Sequence, residues 1–480
     1  MATNLKGKNV LVLGLGLLGG GIATTQWLLD RGARVTVTDL KDEHTLAPSI
    51  RRIQDYLKKS SHDGDDYRLR SARLSWALGG HSNSLIDAAD IIVVNPDVSV
   101  HNPFVRRALA KKKRVVNEGS LFYDEWKKKI VGITGTRGKT TTANWAHHFI
   151  TSSVLAGNST TKPFMSVPDN SSRYAVAVTE TSSFILELFG LARRGPDVAV
   201  ITNLYQDHLN RHGTMQKYAE AKANIFCHQR PSDSLVLNRD DAWTPWFLKR
   251  PVHGRVHFIS MHELPGGADG IWYAGGKLWT HGKKQPVSVL DVEEFSARWG
   301  EHNLMNLMAA ALAARLVGVT WKSIQGRIAS LPQIPFRQEV VHHDRSVTVV
   351  NDTTATSPEG GIAALRRWGA VNCILITGGT DRKLDYRAWA AELPRFISPN
   401  NTIFLAGSAT QKMKSALGER ARGIRTYETL GAAWRAAKKR AGVFLSSVIL
   451  FSPAAKSFEL FANEFDRGTQ FNALVHGQLK

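Results

Sequence analysis

Residues 132–142 decide the fold of this chain and read Gly-Ile-Thr-Gly-Thr-Arg-Gly-Lys-Thr-Thr-Thr. An apolar run leads into them, which predicts a strand, a glycine-rich turn and then a helix. The backbone N–H groups of such a turn can hold phosphate oxygens, while Lys139 can reach β- and γ-phosphates and Thr140 can offer Mg²⁺ its hydroxyl. Ile133 stands where the usual phosphate loop has glycine, and Gly135 compensates. We therefore predict ATP binding at Gly135, Thr136, Gly138, Lys139, Thr140 and Thr141.

A second glycine-rich turn lies near the start of the chain, where residues 14–19 read Gly-Leu-Gly-Leu-Leu-Gly. It falls between a predicted strand and a predicted helix, whose positive N-terminus favours a diphosphate. Asp39 ends the next predicted strand, 20 residues after Gly19, where a carboxylate can bind a ribose or a base. The pattern predicts a bound nucleotide, which need not be NAD, and a tight turn without any nucleotide is the alternative.

Short apolar runs alternate with helical segments along the whole chain, which predicts an α/β protein with largely parallel sheets. Strands are expected at 10–13, 35–38, 91–94, 114–116, 130–134, 175–179, 198–203, 234–237, 256–259, 347–351, 373–377, 402–406 and 448–452, with a hairpin at 271–280. The basic run 127–129 and the prolines Pro332 and Pro335 suggest two boundaries. We predict a Rossmann-like domain at 1–126, a P-loop ATPase-like domain at 127–335 and a second Rossmann-like domain at 336–480.

Composition indicates a soluble protein of several domains, since 480 residues exceed one core and 43% are hydrophobic. Two cysteines cannot build a disulfide framework, so a reduced compartment is expected. The apolar stretch at 10–29 resembles a signal peptide only superficially, because glycines interrupt it and a second strand follows. We expect a cytoplasmic monomer without a membrane span. The net charge of +21 favours anionic partners.

The order of the motifs resembles that of the Mur ligases, the ATP-dependent amide-forming enzymes of peptidoglycan synthesis. The resemblance rests on residues 134–141, 180–184, 203–208, Lys222, 300–306, Arg337, 351–352 and 452–468. The dinucleotide-like first domain is similar to that of the UDP-N-acetylmuramoyl-L-alanine:glutamate ligase branch. This resemblance implies that the protein binds ATP, Mg²⁺, glutamate and UDP-N-acetylmuramoyl-L-alanine, and that the reaction passes through an acyl-phosphate intermediate.

The resemblance also implies a role for individual residues. It assigns catalysis to Lys139, Glu180, His208 and Lys222, and two Mg²⁺ ions to Thr140, Glu180, His208 and a carbamylated Lys222. It assigns ATP to Asn306, Arg337 and Asp352 as well as to the phosphate loop. It assigns the UDP-linked substrate to Gly14, Gly16, Leu17, Leu18, Gly19, Asp39 and Asn158, and the amino acid to Thr356, Arg382, Lys383, Ser457 and Phe458.

Three departures from the family pattern fall on the amino-acid pocket. Thr354 replaces a lysine, Arg382 or Lys383 replaces the lysine expected to hold the glutamate side chain, and Lys456 is introduced beside Ser457. Because arginine offers a bidentate fork where lysine is a point charge, the exchange at 382 changes the chemistry. We expect D-glutamate as the default amino acid, with L-glutamate open.

Two alternatives remain at this stage. A folylpolyglutamate-synthetase-like ligase shares the phosphate loop, the lysine and the histidine, but it would not start with the turn at 14–19. A nucleic-acid-binding protein would explain the net charge, but the basic runs at 111–114 and 127–129 lack the interleaved aromatic residues of single-strand binders. We therefore expect no nucleic-acid partner.

Overall fold

The computed structural model describes residues 4–17, 19–157, 162–167, 173–192 and 194–478. The chain divides into two compact units, Met1–Leu331 and Pro332–Lys480. Two sheets lie in the first unit and one lies in the second. Within the described ranges, every helix is too short or too polar to span a bilayer.

The first sheet consists of five parallel strands, as expected for alternating strands and helices. They are β1 (Asn9–Leu13), β2 (Arg34–Asp39), β3 (Leu74–Leu78), β4 (Ile91–Val94) and β5 (Arg114–Val116). Their order is β3-β2-β1-β4-β5. The helices are α1 (Gly20–Asp30), α2 (Glu43–Ser60), α3 (Gly64–Ser71), α4 (Asn83–Ala88), α5 (Pro103–Ala110) and α6 (Glu118–Glu125). Every residue of β4 is buried, because helices cover both faces of a parallel sheet.

The second sheet has nine strands. They are β6 (Lys129–Thr134), β7 (Ser153–Gly157), β8 (Val176–Glu180), β9 (Val198–Ile201), β10 (Ser234–Asn238), β11 (Arg255–Ser260), β12 (Gly270–Ala274), β13 (Lys277–His281) and β14 (Pro286–Asp291). Their order is β14-β13-β12-β11-β10-β9-β6-β8-β7, and β13 pairs antiparallel with both of its neighbours, β12 and β14. The helices are α7 (Lys139–Phe149), α8 (Ser183–Leu186), α9 (Leu209–His212), α10 (Met215–Ala223), α11 (Thr244–Leu248), α12 (Phe295–Trp299), α13 (His302–Leu316) and α14 (Trp321–Ile328).

The third sheet forms the centre of the second unit. Its strands are β15 (Glu339–His343), β16 (Val347–Asn351), β17 (Cys373–Thr377), β18 (Thr402–Leu405), β19 (Thr426–Tyr427) and β20 (Ser447–Phe451). Their order is β15-β16-β20-β17-β18-β19, with only β15 antiparallel. The helices are α15 (Pro358–Trp368), α16 (Arg387–Phe396), α17 (Ser408–Leu417), α18 (Leu430–Ala441) and α19 (Glu464–Gln478). Side chains alternate between two cores, so Val350 packs near Trp389 and Val349 near Trp434.

The predicted α/β class is confirmed, and each of the three predicted segments contains one sheet. Two strands end earlier than predicted, β9 at Ile201 and β18 at Leu405. The sequence reading missed β3, β7, β14, β15 and β19. All five lie at the edge of a sheet, where one flank has no strand partner and a continuous apolar run is unnecessary.

Candidate active site

Three neighbouring strands of the second sheet deliver the predicted site residues to one edge. In the order β8-β6-β9, Ile133 pairs with Glu180, and Thr134 pairs with Ile201. The phosphate loop, the Glu180 carboxylate and the segment 202–208 therefore leave the sheet side by side. Ligands of α/β proteins bind at this carboxyl edge of the strands.

The phosphate loop packs directly against α13. Gly138 precedes α7 in a left-handed conformation with φ +82°, and a Cβ placed there would overlap the Asn306 carboxamide oxygen. Asn306 receives a hydrogen bond from the Thr142 hydroxyl (3.4 Å) and donates one to Asn303 Oδ1 (2.8 Å). The predicted Asn306 is thus fixed against the loop, and only glycine fits at 138.

The segment 203–207 holds the other side of the loop. The Arg137 backbone N–H donates to Asn203 Oδ1 (2.8 Å), and the Arg137 guanidinium pairs with Asp207 (2.9 Å). Burial alone would raise the pKa of the Asp207 carboxyl, but His208 and Arg137 lower it to about 2. Lys139 Nζ donates to the Thr136 carbonyl (3.1 Å) within the loop. The loop is therefore held in shape on both sides by polar contacts.

Lys222 lies under the loop, with only 1% of its surface exposed. Its Nζ donates to the Gly135 carbonyl (2.7 Å) and lies 4.7 Å from the centre of the Tyr218 ring. Burial, and then the nearby Lys139, lowers the pKa of the Lys222 amine well below its usual range. A lysine on a helix is normally solvated, whereas Lys222 is buried and its lowered pKa favours the neutral amine.

Glu180 and His208 provide the other predicted metal ligands. The Glu180 carboxylate is 9% exposed and has no hydrogen-bond partner among the described residues. His208 directly precedes α9 in a left-handed conformation (φ 54°), with Nε2 3.7 Å from Asp207 and its ring 5.0 Å from the Phe184 ring. No group of three His, Cys, Asp or Glu side chains suited to a metal occurs in the described parts of the chain. The donors fit Mg²⁺, which takes one or two carboxylates with phosphate oxygens and water.

The glycine-rich turn of the first sheet is held by Asp39. Its carboxylate accepts hydrogen bonds from the backbone N–H groups of Leu15 (2.9 Å), Gly16 (3.2 Å) and Lys41 (2.9 Å). Asp39 therefore shapes the turn, which the sequence reading did not foresee when it assigned this side chain to a ribose or a base. Gly14, Gly16 and Gly19 all have positive φ, and Leu17 is exposed. Two of the predicted residues, Leu18 and Asn158, lie outside the described residues.

In the second unit, the predicted residue Asp352 has a buried carboxyl group. Burial raises the pKa of its carboxyl to about 7, although the Ser452 hydroxyl (2.8 Å), the Gln338 backbone N–H (3.1 Å) and Arg337 act to lower it. Arg337 thus faces Asp352 inside this unit. Their predicted contact with ATP stays a prediction.

Four of the five predicted amino-acid residues come from two loops of the third sheet that touch, and Thr356 lies in a third loop, after β16. Thr380 and Lys456 form an antiparallel bridge, and Arg382 lies over the Phe458 ring at 5.4 Å. The Ser457 hydroxyl is buried and makes no hydrogen bond within the described residues. Thr356 is half-buried, and Lys383 is exposed with φ 61°. The structure therefore brings Arg382, Phe458 and Ser457 together, but it places Lys383 in the turn beside them.

Comparison with known proteins identifies the family. Residues 133–314 match the Mur ligase middle domain, and residues 8–117 match the N-terminal domain of MurD-like Mur ligases. A UDP-N-acetylmuramoylalanine–D-glutamate ligase from Roseiflexus sp. (strain RS-1) is 31% identical, covering 98% of this chain and 99% of the relative. One from Desulfitobacterium hafniense (strain DSM 10664 / DCB-2) is 32% identical and covers 98% of both chains. The chain belongs to the Mur ligase family.

Solved Mur ligases have the same fold. The UDP-N-acetylmuramate-alanine ligase MurC of Thermotoga maritima matches with a TM-score of 0.56 and 16% identity, covering 98% of this chain and 99% of that chain. A pseudomurein peptide ligase type C from Methanothermus fervidus matches with a TM-score of 0.52 and 18% identity, covering 98% and 100%. At this identity the likeness shows the fold alone.

Arg211 is a residue of this Mur ligase that the sequence reading missed. Its guanidinium pairs with Glu187 (2.7 Å) and donates to the carbonyls of Pro96 (3.0 Å), Asp97 (2.7 Å) and Val98 (3.1 Å). It therefore ties the loop after β4 of the first sheet to the second sheet. A lone arginine in a basic chain carries no signal, so only the structure reveals this contact.

Lys456 and Glu464 form a second unforeseen feature, an ion pair of 3.3 Å beside Ser457. Burial acts to raise the pKa of the Glu464 carboxyl, but Lys456 and Arg467 bring it below its usual range. The fully buried Arg467 donates to the carbonyls of Thr353 (2.7 Å) and Lys456 (3.1 Å). The sequence reading noted Lys456 as a departure, but it did not identify the acid that Lys456 faces.

Proposed function

We propose that this Mur ligase joins glutamate to UDP-N-acetylmuramoyl-L-alanine while ATP is cleaved to ADP and phosphate. The observation that carries this proposal is the phosphate loop, held between Asn306 and the segment 203–207, with the buried Lys222 beneath it. The names of the relatives from Roseiflexus and Desulfitobacterium supply the substrate and the D form of glutamate. We also propose that it acts as a cytoplasmic monomer.

The reaction has two steps. An oxygen of the substrate carboxylate attacks the γ-phosphorus and ADP leaves, which gives an acyl phosphate. The glutamate amine then attacks the acyl carbon, and phosphate leaves with a proton released. Both steps carry negative charge through one site, so fixed cations and N–H groups lower the barriers. Lys139 and the backbone N–H groups of 135–141 supply these for the phosphates.

Mg²⁺ at this edge would shield the phosphate charge and polarise the γ-phosphoryl group. Thr140, Glu180 and His208 are the residues that would hold it. Lys222 would join them as a carbamate, because a neutral amine can attack carbon dioxide and lose a proton to give an anion. Burial favours the neutral amine at 222, and a carbamate oxygen is the kind of hard ligand that Mg²⁺ prefers.

The carbamate can be tested through Lys222→Ala. This variant should lose nearly all phosphate release, and a short carboxylic acid such as acetate should restore part of it by filling the vacated space with an anion. Lys217→Ala serves as the control because Lys217 is an exposed lysine of the same helix. Rescue by short amines instead, or full activity without rescue, would contradict the carbamate.

The UDP-linked substrate is assigned to the turn at 14–19. Gly14, Gly16, Leu17 and Gly19 form its described backbone, and α1 begins directly after it, so its diphosphate would face the positive end of that helix. Asp39 contributes by holding the N–H groups of Leu15 and Gly16 in place. Leu18 and Asn158 remain predictions for this substrate, as do Arg337 and Asp352 for ATP.

Glutamate is assigned to the pocket of the second unit. Arg382 would bind one carboxylate through its fork, with Phe458 packed under the guanidinium and the Ser457 hydroxyl available for the other carboxylate. Thr356 and Lys383 complete the predicted set. The Glu464 carboxylate would repel a dicarboxylic substrate, and Lys456 neutralises it across 3.3 Å.

Phosphate release from ATP tests the whole proposal. UDP-N-acetylmuramoyl-L-alanine is supplied with each of D-glutamate, L-glutamate, D-glutamine and D-alanine in turn, and the product is identified by mass spectrometry. We expect release that depends on both substrates and is fastest with D-glutamate. Equal rates with a neutral amino acid would overturn the assignment of a dicarboxylate, and turnover without the UDP-linked substrate would overturn the assignment of the acceptor.

A further inference from the structure

The second unit exposes apolar side chains at one edge of its sheet. Val371 is 83% exposed, Val443 is 68% exposed and Leu445 is 99% exposed. In the described part of this unit, no other large apolar side chain is more than 52% exposed. We call these three residues the apolar tip. Scattered apolar residues are normal on a surface, but three so exposed on adjoining loops are not.

Hydrogen bonds hold these loops in fixed positions. The Asn372 carboxamide donates to the Ser446 carbonyl (2.7 Å), and the Asn401 carboxamide donates to the Val371 carbonyl (2.8 Å). Arg440 Nε donates to Asn401 Oδ1 (2.7 Å). The loops at 369–372, 398–401 and 442–446 therefore lie beside each other, and these hydrogen bonds fix the backbone that carries the apolar tip.

Basic residues lie at the same edge of the sheet as the apolar tip. The helices run antiparallel to the parallel strands, so α15, α16 and α18 end at this edge, where β17, β18 and β20 begin. The basic residues there, which we call the basic rim, are Arg345, Arg395, Arg422, Arg425, Lys438 and Lys439, of which Arg395 is paired with Glu392 (2.9 Å). Residues 332–480 hold twenty Lys and Arg against twelve Asp and Glu, so the surplus positive charge is not cancelled within the unit.

Helix dipoles explain only part of this arrangement. A basic residue in the last turn of a helix is favoured by the negative end of the dipole, which accounts for Lys438 and Lys439 in α18. The dipole gives no reason to leave Leu445 fully in water. Cations that flank exposed apolar side chains are typical of surfaces that bind the boundary between lipid headgroups and acyl chains.

We propose that this edge binds the surface of a bilayer that contains anionic lipids, with the apolar tip entering the headgroup boundary and the basic rim contacting phosphates. A nucleic acid offers no apolar phase for Leu445, and the aromatic residue of the loop, Phe444, is half-buried against Arg440 at 5.6 Å. The carboxyl ends of the same strands, with the proposed glutamate pocket, lie at the opposite edge of the sheet. Binding to lipid therefore leaves that pocket open.

Co-sedimentation with vesicles tests the proposal on the full-length protein. We expect binding to vesicles of phosphatidylglycerol mixed with phosphatidylcholine, no binding to pure phosphatidylcholine, and weaker binding in high salt. Lys438→Ala with Lys439→Ala should weaken the affinity about 25-fold, since each cation near the surface contributes about fivefold. Val443→Ser with Leu445→Ser should weaken it about tenfold or more, because both side chains lose an apolar environment.

Matched variants from the first unit serve as controls. Lys283→Ala with Lys284→Ala removes two exposed lysines from the turn before β14, and Leu69→Ser removes a leucine of α3 that is 68% exposed. Both should bind like the wild type, and all variants should keep wild-type phosphate release. Absence of binding to anionic vesicles, or equal losses in tip and control variants, would overturn the proposal. It would also be overturned if an oligonucleotide bound the edge more tightly than the vesicles. The same holds if the tip variants converted a dimer to a monomer without changing vesicle binding.

Discussion

Glu118 is a buried acid whose charge should weaken the fold at neutral pH. It begins α6 with 8% of its surface exposed, and its Oε2 makes no hydrogen bond within the described residues. A Cβ added at Gly20 of α1 would lie 2.6 Å from that oxygen. Burial raises the pKa of the carboxyl to about 7 from 4.5, and no charged side chain contributes. Glu118→Gln keeps the shape and removes the titration.

The size of the effect follows from proton linkage. A carboxyl with a folded pKa above its unfolded pKa costs nothing below about 4.5, and its cost grows as pH rises between the two values. The cost is complete above about pH 7 and amounts to about 3 kcal/mol, since one pKa unit corresponds to about 1.4 kcal/mol. Relative to wild type, Glu118→Gln should therefore gain about 1 kcal/mol near pH 5 and about 3 kcal/mol near pH 8.

Urea denaturation at about pH 5 and pH 8 measures this difference through the midpoint and the slope of the first-unit transition. The control is Glu263→Gln, which neutralises an exposed acid and should change the free energy of unfolding little at either pH. If the gain of Glu118→Gln is the same at both pH values, the carboxyl titrates normally and the reasoning from burial is wrong. A loss at pH 8 would show that the ionised acid has a partner that stabilises it.

Three further variants test the proposed site. Lys139→Ala should lower phosphate release about a hundredfold or more with unchanged thermal stability, because transition-state charge is left uncompensated; a rate above about a tenth of wild type would contradict the phosphate loop. Gly138→Ala should raise KM for ATP, since a left-handed backbone costs alanine about 1–2 kcal/mol and its methyl group overlaps the Asn306 carboxamide; combining it with Asn306→Ala should not relieve the backbone part. Arg382→Ala should raise KM for glutamate about ten- to a hundredfold and leave KM for ATP unchanged. A larger effect of Lys383→Ala would show that Lys383, and not Arg382, binds the glutamate side chain.

Local patterns predicted the part of the site that local chemistry determines. A short apolar strand before a glycine-rich turn is visible in sequence, so both turns and the end of β8 at Glu180 were predicted where they occur. Parallel pairing then brings strand ends to one edge whatever the intervening sequence. The fold class and the neighbourhood of the phosphate loop could be predicted for this reason.

Contacts between distant segments could not be predicted, because they depend on how elements pack. Arg211 and the carbonyl at Asp97 are 114 residues apart in sequence and 2.7 Å apart in space. Asp39 could be placed at the end of β2, but not on the N–H groups of the turn. The edge strands β7 and β15 were missed because an edge position relaxes the demand for buried side chains on both flanks.

Lys222 shows most clearly what separates a residue type from its role. In sequence it is one of 62 basic residues, and a lysine on a polar helix is normally solvated. In the structure, Lys222 is buried beneath the phosphate loop, and its Nζ donates a hydrogen bond to the Gly135 carbonyl. Desolvation lowers the pKa of the Lys222 amine and so favours its neutral, nucleophilic form. The family resemblance assigned a carbamate to this lysine from the sequence, but the burial that favours such chemistry is visible only in the fold.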